Sequence, residues 1–345
     1  MKKNIDWSLL IKFLNVFGII LVVLGHSGNT ESFVMSSYFG HIIRWIYSFH
    51  MPLFFFISGF LFYYTYDSFV KRKVIYSIKK KAIRLLFPYC IIGCIVWGIK
   101  FVMQNFVSST LVKFNIKGVL GSFLSPQALS SPLGYLWFIF TLFIIFLIIF
   151  CLLWGRKNIG AKYSFWITLS CISLLASPFL KSIDFLNLKG VSYYIFFFSI
   201  GVLFCMIKEL FPIVSYFLNN KLTLTLLFCL SVFSNTVDET FLGNLFSSII
   251  GILFSLSLGI ILIKISSIKK FVLFLSSYTY SIYLLHWFGQ YLVKIPYVNL
   301  LHIKNLFLVP LMFLGGIIVP LIVCKFVDKR INKSFFKHIS YIIGR

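Results

Sequence analysis

Acidic residues are scarce in this chain, which has 8 Asp plus Glu against 32 Lys plus Arg in 345 residues. Charged residues amount to 12%, whereas a soluble globular protein has about a quarter. Hydrophobic residues amount to 60% and the mean hydropathy is +0.97. This composition excludes a soluble globular protein, and the aromatic share of 20% excludes a disordered one. In a membrane protein the placement of the +24 net charge matters more than its sum, so we predict no nucleic-acid partner.

Cysteine pairs are also missing, because the seven cysteines include no CxxC motif and no metal-ligand spacing. Since almost all of them lie inside apolar runs, we expect small buried hydrophobic residues rather than a disulfide framework or a metal site. No clear small-residue cleavage site follows the first apolar run, and further runs come after it. That run is therefore predicted to be an uncleaved membrane span.

Apolar stretches of the roughly 20 residues needed to cross a hydrocarbon core recur to the end of the chain. They predict an all-α fold, a polytopic membrane helical bundle of about ten transmembrane helices. We expect a single integral-membrane domain over 1–345. The predicted spans lie near 8–26, 46–66, 83–103, 135–154, 163–180, 191–207, 222–237, 242–263, 271–293 and 305–327.

The positions of Lys and Arg predict the orientation, because cytoplasmic loops carry their excess. With the N-terminus in the cytoplasm, the inside segments hold 23 of these residues and the outside segments hold 8. Both termini are therefore predicted to be cytoplasmic. All eight acidic residues fall in loops or at span ends, whereas an ion-coupled transporter usually carries an intramembrane carboxylate. Their placement counts against such a transporter.

Span one carries three polar residues in an apolar stretch: Lys12, Asn15 and His26. At 100° per residue, the steps to His26 from Asn15 and from Lys12 return to within about 20° and about 40° of whole turns. The same steps rise roughly 16 and 21 Å, so His26 is near the outer surface and the other two near the cytoplasm. This predicts a polar stripe across most of the bilayer. The alternative is a lysine that snorkels to the inner interface and a histidine at the outer one.

Two more histidines are predicted at the depth of His26. Span two reads FHMPLFFFISGF and enters from outside with His50 at its outer end, and its Ser58-Gly59 pair permits close helix approach. Span nine reads SYTYSIYLLHWF and places His286 in the outer half. One such histidine is more often structural than catalytic, but three at one depth favour a functional cluster. The three are therefore candidate catalytic residues, and Ser58 is a weaker candidate hydrogen-bond donor.

At the cytoplasmic face, span three opens with KKKAIRLLFPY. Lys79 and Lys80 are interpreted as positive-inside anchors. Lys81 and Arg84 are three residues apart, on one face of a helix that leads into the membrane. Their placement suits an anionic ligand that arrives from the cytoplasm. Lys81 and Arg84 are therefore candidate ligand-binding residues, with Lys12 as a third.

Five segments occur in a distinctive order: VVLGHS at the end of span one, FHMPLFFFISGF, KKKAIRLLFPY, YLWFIFTLF in span four, and SYTYSIYLLHWF. Together they resemble the bacterial integral-membrane acyltransferase family 3, which O-acylates surface polysaccharides. The FHMPLFFFISG segment with the preceding LGH is quite specific, whereas LWF, which contains Trp137, is weak alone. The resemblance implies ten core spans, a cytoplasmic acyl-CoA donor and a glycan acceptor on the outer side. Some relatives have a glutamate after this tryptophan, but none follows Trp137 here.

The resemblance also implies site residues. Family members usually carry a basic residue, ten intervening residues and the catalytic histidine; His26 matches the histidine, and Asn15 falls on the basic position. Lys12, one turn earlier on the same face, is expected to reach toward that position. The family's residues in the third span carry over onto Lys81 and Arg84.

The expected reaction is transfer of an acyl group, acetyl by resemblance, from acetyl-CoA to a hydroxyl of a surface polysaccharide or its lipid-linked precursor. We expect no permanently bound cofactor and no metal, and a location in the bacterial cytoplasmic (inner) membrane. His26 is expected to act as a general base, an effect typically worth about 10²–10⁴-fold in rate. A covalent acyl intermediate on His26 is the alternative mechanism.

A glycan flippase, a polymerase or a transporter is the alternative function. A polymerase usually shows a large outer loop with arginines, but the longest outer segment, 104–134, holds only Lys113 and Lys117 as basic residues. A scaffold protein would give no reason for three histidines at one depth.

Overall fold

The computed structural model describes residues 5–28, 31–103, 116–128, 131–208, 216–234, 240–330 and 339–344. The regular elements in these ranges are helices, which confirms the predicted all-α class. Eight helices in this part of the chain are long and apolar enough to cross a membrane. The chain is thus a polytopic helical membrane protein, and the cytoplasmic location of its termini stays a prediction.

The principal α-helices are α1 (Trp7–His26), α2 (Ser32–Met35), α3 (Tyr38–Tyr64), α4 (Tyr66–Val70), α5 (Val74–Lys81), α6 (Phe87–Met103), α7 (Ile116–Leu124), α8 (Trp137–Leu152), α9 (Tyr163–Leu180), α10 (Leu188–Ile207), α11 (Lys221–Ser234), α12 (Phe241–Leu262), α13 (Ser266–Ser276), α14 (Thr279–Lys294) and α15 (Leu308–Asp328). A π-helical turn, Ala82–Leu86, joins α5 to α6, and a second, Ile295–Leu300, follows α14. Short 3₁₀ helices occur at Gly134–Leu136, Lys157–Ala161 and Phe185–Asn187.

Two predicted spans fall on shorter helices. The seventh, 222–237, falls on α11, which has 14 residues in the described part of the chain, and residues 235–237 of this prediction lie outside that part. The ninth, 271–293, is divided between α13 and α14, because the helix breaks at Ser277 and Tyr278. The third span begins earlier than predicted, since the helix runs from Val74 through the π turn to Met103. The lysines of KKKAIRLLFPY therefore lie inside this helix.

The chain forms two compact units. Unit one comprises Met1–Ile57 and Ile207–Arg330, and unit two comprises Ser58–Met206 and Ile331–Arg345. The single domain over 1–345 stays a prediction.

In unit one, α1 packs against α12, α13, α14 and α15. Asp6 is its N-cap and accepts a hydrogen bond from the Leu9 backbone N–H at 3.0 Å. Helix α12 comes close to α1 at Gly259, where a Cβ atom would lie 2.6 Å from the Leu10 side chain. Because four helices contact α1, the position of its last residue, His26, is well determined by packing.

Aromatic side chains form the core of unit two. The Phe62 ring of α3 has its centroid 6.2 Å from that of Phe146 and 5.8 Å from that of Phe198. Helices α3 and α10 approach closely at Gly59, where a Cβ atom would lie 1.9 Å from the Phe198 carbonyl oxygen. A glycine is therefore needed at this contact, in line with the close approach predicted from the Ser58-Gly59 pair.

The 3₁₀ turn ahead of α10 contains two consecutive left-handed residues, Leu186 and Asn187, each with a φ of 51°. A leucine rarely adopts this conformation, because its Cβ atom is crowded there. Asn187 is fully buried, and its Nδ2 donates to Thr141 Oγ1 on α8. The Thr141 hydroxyl in turn donates to the Trp137 carbonyl at 2.8 Å. These hydrogen bonds tie the start of α10 to the first turn of α8.

Candidate functional site

Helix α1 carries three of the predicted site residues. Lys12 is exposed, whereas Asn15 and His26 are half-buried. The Asn15 Nδ2 donates to the Ile11 carbonyl at 3.0 Å. The Asn15 amide, at the position where the resemblance implies a basic residue, therefore bonds within its own helix, as small polar side chains in helices commonly do.

Four side chains of unit one form what we call the histidine cluster: His26, Tyr47, His50 and His286. The ring centroids of His26 and His286 are 5.3 Å apart. Tyr47 Oη lies 3.3 Å from His26 Nδ1, and the Tyr47 ring packs edge-on against His50 with 4.9 Å between centroids. Helices α1, α3 and α14 thus bring three histidines and a tyrosine together.

Backbone carbonyls determine which ring nitrogens of two histidines carry hydrogen. His50 Nδ1 lies 2.8 Å from the Ile46 carbonyl, and His286 Nδ1 lies 2.7 Å from the Tyr283 carbonyl. Since a carbonyl only accepts, both Nδ1 atoms are donors, and Nε2 is the accepting nitrogen of each neutral ring. Both side chains are 1% exposed. His26 is therefore the more accessible imidazole of the cluster.

Sequence reasoning did not single out Tyr47 or a further residue, Gln290. Tyr47 precedes His50 by three residues, and Gln290 follows His286 by four. Each lies one helical turn from a candidate histidine, on the same side of its helix. This spacing is the signal that points to them, because a polar residue one turn from a candidate shares its surroundings.

The cationic candidates of the third span lie in unit two. Lys81 ends α5 half-buried, with Nζ 3.6 Å from the centroid of the Phe146 ring. Arg84 is exposed and lies in the π turn Ala82–Leu86. Because the i→i+5 pattern widens that turn, the two side chains do not have the α-helical register expected from their spacing of three. Such π segments often occur at functional sites.

Ser58 and Trp137 also belong to unit two. Ser58 is half-buried in α3, two helical turns beyond His50. Trp137 opens α8 and is half-buried, with its ring centroid 5.2 Å from that of Tyr194. An aromatic pair of this separation packs favourably.

Within the described ranges, no group of three or more His, Cys, Asp or Glu side chains is arranged to hold a metal ion.

The fold and the histidine cluster define a class: an integral membrane protein of apolar helices with imidazoles gathered at one site. The profile of the acyltransferase domain matches residues 11–325, and the chain belongs to this acyltransferase 3 family. The resemblance drawn from the five sequence segments is thereby confirmed.

One curated relative is the nodulation protein NolL of Mesorhizobium japonicum. It is 28% identical over 193 residues, which are 54% of this chain and 44% of that protein. The match thus spans less than half the length of this relative. No solved structure matches the chain.

Proposed function

We propose that this protein is a membrane O-acyltransferase that moves an acyl group from cytoplasmic acyl-CoA to a hydroxyl of an extracytoplasmic cell-surface glycan. Acetyl is the proposed acyl group, and a surface polysaccharide or its lipid-linked precursor is the proposed acceptor. The proposed location is the bacterial cytoplasmic (inner) membrane. One observation supports this proposal above all: the accessible His26 ring lies 5.3 Å from the buried His286 ring in a chain of an acyltransferase family.

In the proposed reaction His26 is the general base. The glycan hydroxyl oxygen attacks the thioester carbonyl while a His26 ring nitrogen takes its proton, so that a C–O bond forms. The C–S bond then breaks, and the leaving CoA thiolate receives the proton. A base in this position contributes about 10²–10⁴-fold to the rate. Tyr47 supports it, since its Oη lies 3.3 Å from Nδ1 and restricts rotation of the ring.

His50 and His286 are proposed to orient His26. Their Nδ1 hydrogens already bond to backbone carbonyls. In the neutral state the other ring nitrogen, Nε2, is an acceptor, which can stabilise a hydrogen-bond donor but not an oxyanion. Positioning is therefore the role that their hydrogen bonds favour.

The proposal is tested with inside-out membrane vesicles that receive labelled acetyl-CoA. His26→Ala is expected to reduce label in the glycan by at least about 10²-fold, because the base is lost. His41→Ala is the matched control, since His41 is an exposed histidine of α3 whose Nδ1 bonds to Arg44. Wild-type labelling by correctly inserted His26→Ala protein would refute the proposed mechanism.

Lys81, Arg84 and Lys12 are proposed to bind the phosphates of the acyl-CoA donor. Ammonium and guanidinium groups form strong charge-assisted hydrogen bonds to phosphate oxygens. Lys81→Ala and Arg84→Ala are expected to raise the KM for acetyl-CoA with little change in kcat, the sign of a lost binding interaction. Lys80→Ala is the matched control, because Lys80 is an exposed neighbour interpreted as a membrane anchor. Equal KM values for all three variants would contradict this assignment.

The same vesicles distinguish the alternative functions. A flippase, a polymerase or a transporter would move or join glycan without incorporating the acetyl label. Extraction with organic solvent then separates labelled lipid-linked precursor from labelled polymer. Label in neither fraction would contradict the proposed acyl transfer.

A further inference from the structure

Gln290 connects α14 to the end of α1. It is 2% exposed and lies one helical turn beyond His286. Its Nε2 donates to the Val23 carbonyl at 2.8 Å and to Ser27 Oγ at 3.3 Å. A backbone carbonyl accepts only, so this contact also determines which end of the amide points toward α1.

The last turn of α1 provides the acceptors for this contact. The Ser27 backbone N–H bonds to the Leu24 carbonyl at 3.1 Å, a three-residue step that ends the α-helical pattern. The Val23 carbonyl instead accepts from two side chains, Gln290 Nε2 and the Ser27 hydroxyl, the latter at 2.7 Å. Carbonyls at a helix end need such partners when they are buried. Since Val23 and Ser27 lie on either side of His26, the contact holds the backbone that carries the imidazole.

Helix α15 packs against this contact between α1 and α14, and its residue there is Gly316, which has no side chain. A Cβ atom there would lie 2.7 Å from Val23 Cγ1 and 3.1 Å from Gln290 Cγ. The absence of a side chain at Gly316 therefore allows α1 and α14 to meet at this level. Close packing on both sides leaves the amide little freedom to move.

We propose that Gln290 is a positioning residue that holds the last turn of α1 so that the His26 ring keeps its place beside His286. This inference rests on the proposed role of His26 as base. The Gln290 amide donates to the Val23 carbonyl and to Ser27 Oγ, and it acts on His26 through them. Its loss lets the end of α1 move, which misplaces the reacting nitrogen without removing a substrate contact.

The test uses the full chain in vesicles and in detergent, with Gln290→Leu as the main variant. We expect kcat to fall by up to about 10²-fold, since a shift of the order of 1 Å in a reacting group has that effect. The KM for acetyl-CoA is expected to stay unchanged. Ser255→Ala is the matched control, because this buried hydroxyl on α12 donates to the Gly251 carbonyl of its own helix at 2.7 Å and, among the described residues, does not link α12 to another helix. It is expected to behave like the wild type.

A second readout does not depend on turnover. Diethyl pyrocarbonate modifies accessible imidazoles, and peptide mass spectrometry measures the modification of His26. We expect faster modification of His26 in Gln290→Leu than in the wild type, because the ring is less well held. Ser27→Ala, which removes one partner of the same contact, is the second variant if Gln290→Leu does not fold, and it is expected to shift both readouts in the same direction.

The outcomes separate this inference from the proposed function. Wild-type kcat and wild-type His26 modification in a folded variant would overturn the positioning role. A loss of activity that only follows the amount of folded protein would overturn it too. If His26→Ala keeps its activity, the proposed function fails, and the modification rate still reports whether Gln290 holds the end of α1.

Discussion

Helices α14 and α15 meet at a pair of glycines, which makes Gly289→Ala a sharp test of the packing that places His286. A Cβ atom at Gly289 would lie 2.2 Å from the Gly315 carbonyl oxygen and 3.2 Å from Val319 Cβ. An ordinary contact begins at 3.4 Å, so the backbones must separate by about 1.2 Å to accept the methyl group. The atom in the way belongs to the backbone and cannot rotate aside.

The expected cost follows from this geometry. Overpacking of a well-packed interior typically costs about 1–3 kcal/mol, and a backbone obstruction indicates the upper half of that range. His286 precedes Gly289 by three residues in α14 and moves with it. A displacement of about 1 Å relative to His26 is expected to lower kcat by up to about 10²-fold.

The assay is reversible unfolding in mixed detergent micelles, combined with acetyl transfer from labelled acetyl-CoA. Gly98→Ala is the matched control, because a Cβ atom at Gly98 would meet nothing within 4 Å. Alanine favours a helix over glycine by about 0.5–1 kcal/mol, so this control is expected to be neutral or slightly stabilising. If Gly289→Ala were as stable and as active as Gly98→Ala, the reasoning that close α14–α15 packing determines the position of His286 would be refuted.

Three further predictions concern single contacts. Glu31 and Lys294 form an ion pair of 2.5 Å with side chains 15% and 13% exposed. Glu31→Gln is expected to destabilise unit one by about 1–3 kcal/mol in the unfolding assay, because the Lys294 ammonium loses its charged partner. The double variant with Lys294→Met is expected to cost less, since it leaves no unpaired charge. Asn187→Ala is expected to cost about 1–3 kcal/mol, because it removes a buried hydrogen bond and places alanine at a positive φ. Asn187→Gly loses the same hydrogen bond but tolerates the positive φ, so it is expected to cost less. An equal cost for the two variants would show that the backbone conformation contributes little. Tyr47→Phe keeps the ring but removes the hydroxyl near His26. We expect kcat to fall by about tenfold while stability stays nearly unchanged. An unaltered kcat would contradict the orienting role of Tyr47.

Much of the helical architecture could be predicted from the order of apolar runs. Bilayer thickness requires about 20 apolar residues per span, and α1, α12 and α15 follow the runs to within a few residues. The break between α13 and α14 was not predicted, because an apolar run does not show where its hydrogen-bond pattern stops. The π turn that carries Arg84 was missed for the same reason, since ordinary helix-forming residues surround it.

The sequence predicts which histidines belong to the candidate site, but not their contacts. Spacing along three spans predicts the three histidines at one level, yet it does not show which helix faces meet. Asn15 illustrates the limit: periodicity aligns it with His26, but its amide bonds to the Ile11 carbonyl. Tyr47 and Gln290 became relevant only once α3 and α14 were seen against the end of α1.

The sequence alone determined that this protein is a polytopic helical membrane protein of the acyltransferase 3 family, because hydropathy and local motifs are properties of contiguous residues. The tertiary structure decided the approach of His286 to His26 and the hydrogen bond from Gln290 to the Val23 carbonyl. These features depend on the rotation of each helix about its axis and on gaps left by glycines in facing helices. Such relations join residues that are more than 200 positions apart, and packing rather than local spacing sets them.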